Sequence, residues 1–166
     1  MELRKPTLGD KEKLLEYIKE HYDNGEMSIS ASNGMPTMKY EQWLEKLKND
    51  EEGKNLEWGI SETYILEEKN RVLGMLNIRY TLNNTMAEIY GHIGYGIRPT
   101  ERRKGMATYM LKEALVKCKQ KGMSEVILGC YENNIGSQKT IVNNGGTLYK
   151  KCKMKGKNAE YYKIKL

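Results

Sequence analysis

Residues 99–107 read Pro-Thr-Glu-Arg-Arg-Lys-Gly-Met-Ala, and the fold turns on how this stretch is read. An apolar, strand-like run ends at Ile97, and an amphipathic helix opens near Gly105. Between them stands Arg102-x-x-Gly105-x-Ala107, a basic turn with small residues where a ligand could approach the backbone. A glycine has no Cβ, so main-chain N–H groups can face an anion without steric cost. The helix behind it adds unpaired N–H donors and the positive end of its dipole. Strand, basic turn and helix start together form a cradle for a pyrophosphate. Two other phosphate loops are excluded by spelling. No Gly-x-x-x-x-Gly-Lys-Ser/Thr string is present, and Pro99 stands where Gly94-x-Gly96 would need its third glycine. Taken alone, the turn also fits a solvated basic loop capped by a helix.

The flanking residues separate these readings. Gly91-His92-Ile93-Gly94-Tyr95-Gly96-Ile97-Arg98-Pro99 leads straight into the turn. Val126-Ile-Leu-Gly-Cys-Tyr-Glu-Asn-Asn134 forms a second strand, followed by Ile135-Gly136-Ser137, a short helix and Asn144-Gly145-Gly146. This order resembles the GNAT superfamily of acetyl-CoA-dependent N-acyltransferases, and within it a branch of predicted acetyltransferases with Ile-Arg-His-x-Leu-Asn, Gly-His-Ile-Gly-Tyr-x-Ile-Arg-Pro and Asn-Gly-Gly. Here Tyr80 stands in place of the usual His, in Ile78-Arg79-Tyr80-Thr81-Leu82-Asn83. The strong match covers roughly residues 72–148, and a looser one nearly the whole chain. The resemblance implies that Arg102, Arg103, Lys104, Gly105, Met106, Ala107 and Thr108 hold the pyrophosphate of coenzyme A. It also implies that Asn134 and Ser137 contact the pantetheine arm. Acetyl-CoA is then a cosubstrate, and the acetyl group passes directly to an amine of a small molecule or peptide.

Composition sets outer bounds. The 166 residues suit one domain over 1–166, with room for a substantial core. A net charge of +6 suits an anionic ligand and equally a nucleic acid. The cysteines Cys118, Cys130 and Cys152 are odd in number and lack a CxxC spacing. Only His21 and His92 could add imidazoles, so neither a disulfide framework nor a metal site is expected. The start, Met-Glu-Leu-Arg-Lys-Pro, does not read as a signal peptide, and no apolar run approaches membrane-spanning length. A cytoplasmic chain is the expectation, and a homodimer is left open.

Periodicity predicts strands over 2–5, 63–67, 72–79, 88–98, 124–131, 147–153 and 160–166. It predicts helices over about 11–22, 40–48, 105–121 and 134–144, with Asp10 as N-cap of the first. The order βααβββαβαββ describes an α/β fold: a mixed, mostly antiparallel sheet flanked by helices, GNAT-like in the light of the resemblance.

Several side chains compete for the chemistry. On the strand 88–98, Ile89, Ile93, Tyr95 and Ile97 share the apolar parity, while Glu88, Tyr90 and His92 share the polar one. Gly94 and Gly96 permit close approach, so main-chain groups near Gly96 and Ile97 are expected to pair with pantetheine like an added strand. His92, with an ordinary pKa near 6.5, and Glu88 are the candidate bases. Each also reads as a structural or solvated residue. Many superfamily members place a tyrosine seven residues after the Asn of the second motif, to protonate the leaving thiolate, but Ile141 stands there. Ser137 and Tyr131 are the candidate substitutes, and solvent is a third source. Cys130 reads as a small buried hydrophobe rather than a nucleophile. A competing function is a non-catalytic module on the same fold, sensing acyl-CoA or binding nucleic acid. No nucleic-acid motif is present to support the latter.

Overall fold

The computed structural model describes residues 1–54, 59–82 and 89–166. Its first sheet carries β1 (Glu2–Arg4), β2 (Ser61–Glu68), β3 (Arg71–Arg79) and β4 (Ile93–Ile97) in that order. A second sheet carries β5 (Glu125–Tyr131), β7 (Lys157–Lys165) and β6 (Thr147–Met154), with β7 central. Where one mixed sheet is expected, the described ladders form two sheets, and every ladder is antiparallel. The strand expected over 88–98 is shorter. Ile89 and Tyr90 are helical, and Gly91 makes an isolated bridge to Leu128.

Among the described residues, four helices of two turns or more cover the sheets. On one face lie α1 (Lys11–Asp23) and α2 (Tyr40–Glu51). They bury Leu14, Tyr17, Ile18, Trp43 and Leu47 against Ile65, Val72 and Met75. On the other lies α3 (Met106–Gln120), whose Met110, Leu111, Ala114 and Cys118 recur at helical spacing and pack on Leu73, Leu76, Ile78 and Ile93. The short α4 (Ile135–Asn143) adds Ile141 to the same core. Helices on both faces explain why β2 and β3 are buried along most of their length, and why β3 reads as a nearly continuous apolar run rather than an alternating one.

Asp10 precedes α1 as expected, but its side chain does not cap that helix. The carboxylate is buried and accepts from Arg4 (2.6 and 2.8 Å), from the Thr7 amide (2.8 Å) and from the Thr7 hydroxyl (2.9 Å), with Lys13 Nζ 2.6 Å away. Chain entry into α1 is thus fixed by an ion cluster that also takes in Glu67 of β2.

The turn after α4 is sterically tight. A Cβ on Gly146 would fall 2.4 Å from Ile141 Cγ2 and 2.8 Å from its carbonyl oxygen. Gly146→Ala should therefore destabilise the fold by about 1–3 kcal/mol, seen as a lower urea midpoint with unchanged slope.

Candidate active site

The two sheets meet along the edges of β4 and β5, and they meet only at one end. The His92 amide donates to the Ile127 carbonyl (2.8 Å), and the Ile127 amide donates to His92 Nδ1 (2.9 Å). Gly91 sits between them with φ +73°, and a Cβ there would lie 2.5 Å from Ile127 O, so only glycine fits the seam. Beyond it, no ladder joins β4 to β5 among the described residues. The edges are tied across the gap by the Tyr95 hydroxyl of β4, 2.8 Å from Ser137 Oγ on α4.

Ladder geometry tells which groups of β4 face this gap. The Arg79 amide donates to His92 O, and the Arg98 amide to Leu73 O, so the even-numbered residues of β4 spend their main-chain groups on β3. Of the two residues expected to present main-chain groups, Gly96 has its own committed to the β3 ladder. The outward groups belong to Tyr95 and Ile97, and Ile97 O already accepts from Arg102 Nε (3.0 Å).

The gap opens onto the basic turn. Arg103 (φ +61°) and Gly105 (φ +79°) take left-handed conformations, and Gly105 is the N-cap of α3. The first turn of α3 carries no acidic residue and no side-chain cap. Its first intrahelical bond runs from the Tyr109 amide to Gly105 O (3.0 Å), which leaves the amides of Met106, Ala107 and Thr108 at the open end of the dipole. Arg102 is not directed at that end. Its guanidinium forks onto Glu26 at 2.5 and 2.7 Å. This pairing, with help from His21, holds the Glu26 carboxyl down to about 2. His21 Nδ1 lies 2.8 Å from the same carboxylate, so α1, the loop after it and the turn are joined in one chain of polar contacts. Beside it, Arg98 is wholly buried and bonds Val72 O, Glu16 and Glu20. Burial opposes ionisation of Glu20, yet bonds from Thr100 and Arg98 hold it down to about 2.

The candidate chemical groups fall in different places. Asn134 Oδ1 accepts from the Ser137 amide (3.1 Å) and caps α4. Ser137 faces Tyr95, a residue that sequence reasoning placed only in the core. Burial pushes the Tyr95 hydroxyl up to about 12, so it stays protonated. Tyr131 is half-buried at the end of β5, with Lys157 Nζ 5.8 Å from its ring centre. Ile141 is fully buried in the core below α4, so its position does not face the gap. Cys130 is buried, and burial raises its thiol pKa. His92 is half-buried, and burial lowers its pKa. Because Nδ1 accepts from an amide, the neutral ring carries its proton on Nε2 and has no lone pair to offer an incoming amine there. Glu88 lies outside the described residues. On the α1–α2 side of β4, next to Gly94, a polar hollow of about 330 Å³ is lined by Asn33, Lys46, Asp50, Ser61, Asn77 and Arg79. Among the described residues no cluster could hold a metal ion, and no helix is long and apolar enough to cross a membrane.

An antiparallel α/β fold with a splayed pair of edges ending at a helix N-terminus is the architecture of an acyl-CoA-binding transferase. The family model for the acetyltransferase (GNAT) domain matches residues 1–147. The chain belongs to the GNAT acetyltransferases and is an acetyl-CoA-dependent N-acetyltransferase. Similar solved structures include RimL, a ribosomal L7/L12 alpha-N-protein acetyltransferase in complex with coenzyme A, 13% identical over 99% of this chain and 93% of its own, with a TM-score of 0.71. A ribosomal-protein-alanine N-acetyltransferase from Brucella melitensis is 15% identical over 100% of both chains, with a TM-score of 0.70. The microcin C7 self-immunity acetyltransferase MccE, in complex with acetyl-CoA and AMP, is 16% identical over 99% of this chain and 91% of its own, at 0.70. No curated protein sequence matches the chain significantly.

The acid limb of stability follows from these contacts. Glu20 and Glu26 are depressed, so what they contribute is fully present above about pH 4.5 and lost as pH falls through about 2. Glu26→Gln should lower the thermal midpoint at pH 7, and the gap to wild type should shrink steadily below pH 4.5 and close near pH 2.

Proposed function

We propose that acetyl-CoA lies with its pyrophosphate on the amides of Met106, Ala107 and Thr108 and its pantetheine arm in the gap between β4 and β5. The observation that carries this reading is the uncapped start of α3 at the mouth of that gap. Arg103 adds positive charge at the rim, with Lys104 paired to Glu101 beside it, and Asn134 and Ser137 border the arm from α4. Arg102 acts as a brace that holds the turn to Glu26 and Ile97. Calorimetry with acetyl-CoA tests this assignment. Gly105→Glu puts a carboxylate at the helix start and should weaken binding at least tenfold, about 1.4 kcal/mol. A variant with native circular dichroism and unchanged affinity would remove the phosphate site.

The acceptor is a small-molecule or peptide amine that enters over Gly94 from the polar hollow. Structural neighbours that include alpha-N-protein acetyltransferases and a microcin self-immunity enzyme fit both kinds. In the transfer, the amine lone pair forms the C–N bond, the C–S bond breaks toward sulfur, and the ammonium proton leaves to water. The hydrogen-bonding state of His92 makes it a fastener of the seam rather than the base. The thiolate takes its proton from Tyr95, whose hydroxyl Ser137 orients, and Tyr95 recovers it from solvent. Tyr95→Phe should then cut kcat by one to two orders of magnitude with little change in acetyl-CoA affinity. Equal kcat in the two proteins would assign protonation to solvent.

A further inference from the structure

The positive charge of the chain is not spread evenly. Residues 147–166 hold seven lysines and one glutamate, a net +6, which equals the charge of the whole chain. Taking these from the chain's 28 basic and 22 acidic side chains leaves residues 1–146 with 21 of each. The entire excess therefore sits on the hairpin of β6 and β7. Lys151 pairs with Glu160 (2.7 Å), and Lys163 with Glu125 (3.3 Å). Lys150, Lys153, Lys155, Lys157 and Lys165 are exposed and make no ion pair among the described residues.

The sheet sets part of this charge beside aromatic rings. Tyr162 and Ile164 of β7 join the main core, so Ala159, Tyr161 and Lys163 share the opposite, outer face of the second sheet. Among the described residues that face has only a small cluster of its own, built on Met154, Ala159 and Tyr161. The bulge after Leu148 inserts Tyr149, so that Tyr149 and Lys150 turn to the outer face in succession. Lys163 Nζ lies 4.9 Å from the centre of the Tyr149 ring, Lys150 Nζ 5.6 Å from that of Tyr161, and Lys157 Nζ 5.8 Å from that of Tyr131. The three tyrosines come from three strands. Their interleaving with lysines exists only in the folded sheet, which is why the sequence shows no nucleic-acid motif.

We propose that this outer face binds a single-stranded nucleic acid, with its phosphates on the hairpin lysines and its bases on Tyr149 and Tyr131. Tyr149 is 45% exposed and Tyr131 is half-buried, while Tyr161 is buried and forms the floor under Lys150. An ammonium over an exposed ring is held weakly. A phosphate draws it away, and the ring face it leaves takes a base. Other occupants use less of the surface. A duplex keeps its base faces stacked inside. An acidic polypeptide pairs with the lysines but has no use for the rings. A second copy joined through the edge strand β6 would set Lys150, Lys151 and Lys153 against like charges.

The test is fluorescence anisotropy with a labelled uridylate dodecamer at several salt concentrations, beside calorimetry with acetyl-CoA. Wild type should bind the dodecamer with an affinity that falls as salt rises. Lys150→Glu combined with Lys157→Glu should weaken binding at least tenfold. Tyr149→Ala should weaken it about fivefold with the salt slope unchanged, and Tyr149→Trp should keep wild-type affinity. Acetyl-CoA affinity should stay at the wild-type value in all of these variants, because the face lies across the second sheet from α4. Wild type that does not bind the dodecamer overturns the proposal, as does equal affinity for a duplex of the same length or full affinity in Tyr149→Ala. Polyglutamate that displaces the dodecamer as well as unlabelled dodecamer does also overturns it, in favour of an acidic polypeptide. Loss of acetyl-CoA in step with the dodecamer would show that the face is not a separate site.

Discussion

The rest of the molecule depends on a seam a few residues wide. Gly91, His92 and Ile127 clasp β4 to β5 at one end through two hydrogen bonds and a backbone approach that excludes any Cβ. Without the clasp the two sheets would be joined by side-chain packing and helices alone. With it, the edges start together and then part, and the parting leaves outward main-chain groups on Tyr95 and Ile97 with no strand to meet them. An unpaired edge is normally a liability. Here it is tied to α4 through Tyr95 and Ser137, and in the proposed placement it receives the cofactor.

The parts of this arrangement set by neighbours in sequence were legible in the sequence. The turn at 102–107 and the helix it opens follow from a glycine, a basic run and an apolar stripe with period 3.6. The helix boundaries from sequence and structure differ by one residue at each end. The core strands were legible as apolar runs. Partners distant along the chain were not legible. Arg102 reads as a phosphate ligand because the carboxylate that pairs with it, Glu26, is 76 residues away. Tyr95 reads as a core residue because its parity matches Ile93 and Ile97. Only the packing of α4 brings Ser137, 42 residues on, to its hydroxyl. His92 reads as a base because an imidazole is one, and its acceptor role becomes visible once β5 lies beside it. The strand expected over 88–98 differs from β4, Ile93–Ile97, for a related reason. Alternating parity cannot show that Ile89 and Tyr90 wind into a helical turn before the bridge at Gly91.

The α1–α2 side carries an unusual load of buried charge and polarity for the back of a sheet. Arg98 is fully buried, and its ion pairs with Glu16 and Glu20 anchor α1 to the end of β4. Pairs of this kind contribute little net stability once desolvation is counted. Their effect is to fix register, since α1 cannot slide along the sheet without stranding a guanidinium. Tyr17 and His21 sit one turn apart on the same helix face and are held to the same register, with their rings 4.6 Å apart.

The pairing of the turn's cations also bears on how an anion would find the site. Arg102-Arg103-Lys104 looks like a concentrated positive field, but Arg102 is neutralised by Glu26 and Lys104 lies 2.9 Å from Glu101. Arg103 alone of the three makes no ion pair among the described residues. At a Debye length of about 8 Å in physiological salt, two compensated pairs project little potential into solvent. Under the proposed placement, the two compensated pairs leave short-range amides and Arg103 as what this turn itself offers an anion, and any longer-range attraction comes from the +6 charge of the whole chain.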